Sequence, residues 1–316
     1  MPARRPKTRT SAARTKAQGK VLAWFDAHGR SLPWRETRDP YRTLVAEVML
    51  QQTGTGRVAP TYSQFLQRFP TLDRLAHAPA IDVIQAWRGL GYNRRAVELH
   101  RAAQTLLRDH GGVFPSEPAA LRRLPGLGQY TASALACFAF DRQVPVVDTN
   151  VRRVLSRSAL GKDPDQVPSD RVGALASEWL PAGDAYRWNQ ALMDIGATMC
   201  RATTPLCATC PLKASCLYAG KGRHRKPPVR KAKPQEKFEG SRRQARGTIV
   251  DHLRRAARKG ITIADLTKQM GESGDADRLV EILTTLEKEG LAELTPAARK
   301  GSARGLVRLP AGTRLP

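Results

Sequence analysis

The chain has 316 residues, and 53 Lys and Arg against 28 Asp and Glu leave a formal charge of +25. Such an excess repels itself unless a polyanion neutralises it, so nucleic acid is the expected partner. No apolar run approaches the roughly 20 residues that cross a bilayer, the basic N-terminus lacks the apolar stretch of a secretory signal, and cysteines are too few for a disulfide scaffold.

These features exclude a secreted, membrane or fibrous protein and point to the cytoplasm. Residues 1–20 carry seven Lys or Arg and no acid, which predicts a disordered basic tail. Residues 21–220 read as helical. Apolar positions recur at spacings of three and four in Val21–Phe25, Leu44–Leu50, Val83–Trp87, Leu99–Leu107 and Ala132–Phe140, with Gly- and Pro-containing breaks between them. The short β-branched run Val144–Val147 reads as an extended connector rather than a sheet strand. An all-α architecture with short loops follows. Residues 221–246 hold eleven basic and two acidic residues with Pro227, Pro228 and Pro234, and read as an exposed basic linker. Residues 247–316 read as a separate unit: helices over about 247–258, 263–270 and 276–289, then strands at Leu291–Leu294 and Gly305–Leu309. That order predicts a small winged-helix-like α+β unit, a fold that docks DNA or protein and does not decide function.

Three constellations carry chemistry. In Leu121–Ala136, LRRLPGLGQYTASALA, Pro125 breaks one helix and another starts near Gln129. Gly126 and Gly128 bare the backbone there, and the amides of a helix start can hold a phosphate oxygen. The plain alternative is an ordinary corner between helices. Next come two carboxyls. Glu47 lies in the hydrophobic helix YRTLVAEVMLQQ, where apolar neighbours are expected to raise its pKa and keep a proton available. Asp148 follows the apolar run at 144–147 and opens a helical pattern, where capping amides are expected to hold it ionised. As alternatives, Glu47 is a surface or ion-paired residue and Asp148 simply a helix cap. Last, Cys200, Cys207, Cys210 and Cys216 are spaced C-x6-C-x2-C-x5-C. Four such thiols in a cytosolic protein form a metal site more often than disulfides, and by ligand type zinc and an iron–sulfur cluster both fit. Cys137, inside ALACFAF, reads as a buried packing residue.

The string LPGLGQYTA resembles the helix-hairpin-helix of the DNA glycosylase superfamily that includes endonuclease III. Endonuclease III carries in this hairpin a Lys that forms a Schiff base. Tyr130 stands at that position here and cannot form the imine, which matches the base-removing members that lack lyase activity. With LPWRETRDPYRTLVAEVMLQQT, WRGLGYNRRA and VPVVDTNVRRVLSR in the same order, residues 21–220 resemble the A/G-specific adenine DNA glycosylase family. The resemblance implies a helix-hairpin-helix glycosylase fold with a [4Fe–4S] cluster on the four cysteines. It implies release of adenine mispaired with 8-oxoguanine or guanine in double-stranded DNA, by a monomer. Carried over by position, Glu47 protonates the flipped adenine, Asp148 stabilises the oxocarbenium ion or forms the sugar adduct, and Tyr130 hydrogen-bonds in the site. Trp34 and Arg35 line the adenine pocket. Gln52 and Tyr92 wedge into the base stack, and Gly126 and Gly128 serve the phosphate grip. Lys213 and Arg201 present charge to DNA.

Two residues depart from the family pattern. Asn93 follows Tyr92 where members often have a second Tyr, and Thr149 follows Asp148 where a Gly is common. The C-terminal unit is too short for the Nudix-like domain that many members carry. The rival readings are a mismatch thymine or uracil glycosylase on the same scaffold and a non-catalytic DNA-binding protein.

Overall fold

The computed structural model describes residues 11–219, 238–271 and 276–312. Helices dominate, as the spacing predicts, and group into two compact units. One comprises Met1–Arg38, Ser116–Leu121 and Gly128–Ala232; the other comprises Asp39–Pro115, Arg122–Leu127 and Lys233–Pro316. The units cut across the boundaries expected from the sequence.

The first unit contains α1 (Ser11–His28), α7 (Pro118–Leu121), α8 (Gln129–Phe140), α9 (Thr149–Leu160), α10 (Ser169–Glu178) and α11 (Ala185–Thr198). Helix α1 corrects the expected tail over residues 11–20; residues 1–10 lie outside the described residues. Ala17 and Val21 are buried in the core, Arg14 pairs with Glu178 at 2.6 Å, and the Gln18 amide donates to the Trp179 carbonyl at 3.0 Å. Strong helix formers and one apolar stripe outweigh the charge there. Helices α9 and α11 meet closely at Gly196, where a Cβ would stand 2.5 Å from that of Asn150. The run Val144–Val147 forms neither helix nor strand. Buried Asn189 takes the place of a sheet partner: it accepts from the Val146 amide at 2.9 Å and donates to the Val144 carbonyl at 3.1 Å. Cys137 is fully buried beside it, and burial pushes its thiol up to about 11, in keeping with a packing role.

The second unit opens with α2 (Pro40–Leu50), α3 (Thr55–Arg68), α4 (Leu72–Ala76), α5 (Ala80–Ala86) and α6 (Arg94–His110). It closes with α12 (Arg242–Ala256), β1 (Ile261–Thr262), α13 (Ile263–Met270), α14 (Ala276–Lys288), β2 (Glu293–Leu294), α15 (Pro296–Arg299) and β3 (Leu306–Arg308). The strands form an antiparallel sheet ordered β1-β3-β2, with Ile261 opposite Val307 and Leu294 opposite Val307. The three expected helices α12, α13 and α14 with a small sheet match the winged-helix-like expectation, and β1 and the short α15 are additions to it. Ser241 caps α12 by accepting from the Gln244 amide at 3.2 Å, so residues 242–246 are helical rather than linker. Residues 221–237 of the expected linker lie outside the described residues.

The C-terminal segment does not keep a core to itself. Ile81, Ile84 and Val97 of α5 and α6 share one apolar cluster with Ile249, Val250 and Leu253 of α12 and the apolar residues of α13, α14 and the sheet. Two backbone bonds reinforce it, from the Ala80 amide to the Gly312 carbonyl at 3.0 Å and from the Ile81 amide to the Pro310 carbonyl at 2.8 Å.

Candidate active site

In the second unit, Asp39 caps α2 through the Arg42 amide at 3.0 Å and Pro40 fits the first turn. The helix is buried at Tyr41 and from Thr43 to Met49, and Glu47 lies among these residues at 4% exposure. The acid is on an oily helix, as the sequence reading has it. After α2 the chain turns through Gln52, which is exposed and has φ 58°. Tyr92, half exposed at 51%, has φ 43°. Side chains other than Gly rarely take such backbone, and where they do the surroundings hold them there, often at a binding site.

The holding group is Arg95, which the sequence reading passed over. Its buried guanidinium accepts nothing and donates to the carbonyls of Val48 at 3.0 Å, Met49 at 2.7 Å and Gln51. It also donates to Thr53 Oγ1 at 2.9 Å and to the carbonyls of Leu90 and Gly91 at 3.1 Å each. One side chain thus ties the Gln52 turn to the Tyr92 turn. Burial lowers its pKa to about 10, so it stays charged at neutral pH. The available signal was an Arg among apolar positions of an amphipathic helix. Gln52, Tyr92 and Gly126 line one cavity of about 1000 Å³, with Arg57, Arg94 and Arg243 contributing charge. Glu47 does not line it, although its neighbour Val48 does. Gly126 has φ 72°, and a Cβ there would stand 2.6 Å from the Glu98 Cβ. Gly126→Ala is therefore expected to destabilise the protein by at least about 1–2 kcal/mol in a urea melt.

In the first unit, Gly128 is the N-cap of α8 with an ordinary extended backbone, φ −80°. Only Gly126 of the pair needs the freedom of glycine. Tyr130, in the first turn of α8, is half-buried against the core of this unit. Asp148 is the N-cap of α9. One oxygen accepts from the Val151 amide at 2.6 Å, the other from the Asn150 side chain at 2.8 Å. The capping alternative is thus correct and leaves room for a second role. Burial raises the Asp148 pKa above the ordinary value despite these bonds and nearby Arg153. Thr149 takes a normal place as first residue of α9, with its side chain exposed. Trp34 is buried at 8% exposure in the short helix Pro33–Arg35. Arg35 makes a two-pronged pair with fully buried Asp194, at 2.9 and 2.8 Å. Arg30 grips the same carboxylate, at 2.7 Å from Nε and 2.9 Å from its amide.

Cys200, Cys207, Cys210 and Cys216 are all free thiols, and together they line one pocket with Arg157, Lys213 and Tyr218. Arg157 is buried, donates to the carbonyls of Arg201 and Ala202 at 2.7 and 2.8 Å, and reaches Cys200 Sγ at 3.8 Å. Burial raises the pKa of Cys200, Cys207 and Cys210, the last to about 11, and the neighbouring sulfurs add to the rise. Thiols crowded in this way become thiolate ligands together only when a cation is bound. The donor set therefore fits a sulfur-ligated metal group. Among the described residues, however, no group of three or more His, Cys, Asp or Glu is drawn together closely enough to hold a metal ion. Arg201 is exposed beside this pocket, as the charge expectation requires.

The HhH-GPD superfamily of base excision DNA repair proteins matches residues 45–180. The adenine DNA glycosylase of Mycobacterium tuberculosis (strain ATCC 25618 / H37Rv) is 40% identical over 290 residues, 90% of this chain and 93% of that protein. That of Mycolicibacterium smegmatis is 37% identical over 281 residues, covering 88% and 93%. The chain belongs to the adenine DNA glycosylase family. Membership makes it a DNA glycosylase of base excision repair. The mycobacterial match necessarily runs into the C-terminal segment of this adenine DNA glycosylase family member. The Homo sapiens adenine DNA glycosylase, 39% identical, matches 64% of this chain and 39% of its own length. Among solved structures, a thermostable thymine-DNA glycosylase superimposes with a TM-score of 0.63 at 30% identity, over 66% of this chain and 98% of its own. An endonuclease III–DNA complex, 22% identical with a TM-score of 0.59 over 67% and 98%, shares the fold. Among the described residues no helix is long and apolar enough to cross a membrane.

Proposed function

We propose that the chain hydrolyses the N-glycosidic bond of adenine mispaired with 8-oxoguanine or guanine in double-stranded DNA, acting as a cytoplasmic monomer. The observation that carries this reading is the match to adenine DNA glycosylases over nine-tenths of the chain. Glu47, buried on its apolar helix, donates a proton to a ring nitrogen of the leaving adenine. Asp148, with both oxygens oriented by Val151 and Asn150, stabilises the oxocarbenium ion or forms the sugar adduct that water resolves. Tyr130 hydrogen-bonds at that site, and Trp34 lines the adenine pocket. Arg35, held by its pair with Asp194, lines that pocket beside Trp34. Gln52 and Tyr92 enter the stack vacated by the base, offsetting part of the unstacking cost of a few kcal/mol. The turn at Gly126 and Gly128 holds a backbone phosphate without reading sequence.

The four cysteines hold a [4Fe–4S] cluster, with Arg157 fastening the loop around it. When bound, the cluster supplies cross-linking of this loop, which orders Arg201 and Lys213 for phosphate contact.

The structural likeness to a thymine-DNA glycosylase favours a second reading, release of mismatched thymine or uracil. Glu47 separates the two, because a pyrimidine offers no matching ring nitrogen for its proton. The test is single-turnover cleavage of duplexes with A, T or U opposite G or 8-oxoguanine. Release of adenine alone is expected; release of thymine or uracil with adenine untouched would replace the first reading by the second.

A further inference from the structure

We propose that Arg254, carried by the C-terminal helix α12, is a positioning residue that fixes the Tyr92 loop by gripping Asn93. The proposal deepens the reading above and rests on Tyr92 being a wedge residue. Asn93 stands at the N-cap of α6, yet its side chain makes no capping bond. Asn is among the best N-cap residues, so a different use of its amide is informative. Its Oδ1 accepts instead from Arg254 Nη2 at 2.9 Å.

The guanidinium of Arg254 has no slack. Its Nε and Nη2 donate to the Ile84 carbonyl at 3.1 and 2.9 Å, and Nη1 donates to Asp251 at 2.7 Å. The side chain is 8% exposed, and neighbouring Leu253 lies in the core shared with Ile81 and Ile84. Asn93 is thus tied to a fixed point. On the other side of Tyr92, Arg95 holds the Gly91 carbonyl at 3.1 Å. Tyr92 itself keeps φ 43°, a conformation a tyrosine leaves unless its neighbours prevent it. Two arginines from distant segments of this unit therefore immobilise the residue that must enter the base stack. The arrangement also accounts for Asn93 itself: a tyrosine at this position has no amide oxygen to offer Arg254.

The full-length protein would be mixed with a duplex carrying 2-aminopurine beside a non-hydrolysable 2′-fluoroadenosine opposite 8-oxoguanine. Fluorescence reports unstacking, hydrogen exchange reports the order of residues 89–95, and single-turnover cleavage of the natural duplex reports rate. Asn93→Ala and Arg254→Met are each expected to lower the unstacking equilibrium and the rate by roughly ten- to a hundredfold, the range of a lost charge-assisted bond. Exchange in residues 89–95 should rise in both. The double variant should be no worse than the worse single one, and Asn93→Asp, which keeps an acceptor, should behave as wild type. Losses that multiply, or unchanged exchange in residues 89–95, would overturn the proposal. Should Arg254→Met fail to fold, Asn93→Ala against Asn93→Asp decides it. Tyr92→Ala is the control: full unstacking in that variant would sink the wedge reading alone, while the exchange data would still decide the brace.

Discussion

Asp148→Asn is expected to slow single-turnover adenine release by about 10²–10³-fold, and Glu47→Gln by about 10²–10⁴-fold, with duplex binding retained in a gel-shift. Both substitutions keep shape and hydrogen-bonding capacity while removing charge or acidity. Asn is as good an N-cap as Asp, so the start of α9 survives the change. The raised pKa of Asp148 adds two further expectations. Adenine release should fall as pH is lowered through that raised value, because the sugar cation needs the ionised carboxylate. Stability should move the opposite way. A carboxyl whose folded pKa exceeds its unfolded one stabilises most below the ordinary carboxylate range, and this contribution is lost as pH rises through the folded value. Asp148→Asn should therefore melt no lower than wild type at neutral pH. A lower melt would make Asp148 a structural group, and wild-type turnover in both variants would remove both from the chemistry.

Asp194→Ala has the largest expected effect on stability, roughly 3–5 kcal/mol in a urea melt at neutral pH. Removing this fully buried carboxylate strands Arg35, whose side chain is 10% exposed, and deprives Arg30 of its partner. Burial alone would push the Asp194 pKa up, but the bonds and charges of Arg35 and Arg30 outweigh it and hold the carboxyl below its ordinary value. Its stabilisation is present above the unfolded pKa, near 3.9, and is lost as pH falls through the depressed folded value. The gap between wild type and variant should shrink in melts at progressively acid pH. A neutral-pH loss under about 1 kcal/mol would show that the pair behaves as a surface ion pair.

What could be read in the sequence was local. The apolar spacing of α2, α6 and α8, the cap at Asp148, and the grouping of the four cysteines all lie within short windows. The hidden features join distant residues. Asp194 meets Arg30 and Arg35 across more than 150 positions, and Arg254 meets Asn93 across a similar gap. No periodicity records such pairs. Strand β1 was hidden for another reason, since two residues are too few for an alternation to show. The start of α1 was misread because its charge suggested solvation, while the stripe of Ala17 and Val21 is narrow. Gly128 resembled Gly126 in the string, but only the backbone angles tell them apart.

The apolar cluster that α5 and α6 share with the C-terminal helices bears on any attempt to make a smaller enzyme. A chain cut ahead of Ser241 would expose Ile81, Ile84 and Val97 to water, and an oily surface of that kind promotes self-association. The trimmed protein should precipitate or need a solubilising partner, instead of working as a minimal catalyst. Melting of the whole second unit should accordingly register as a single cooperative step, not as an appendage coming off first.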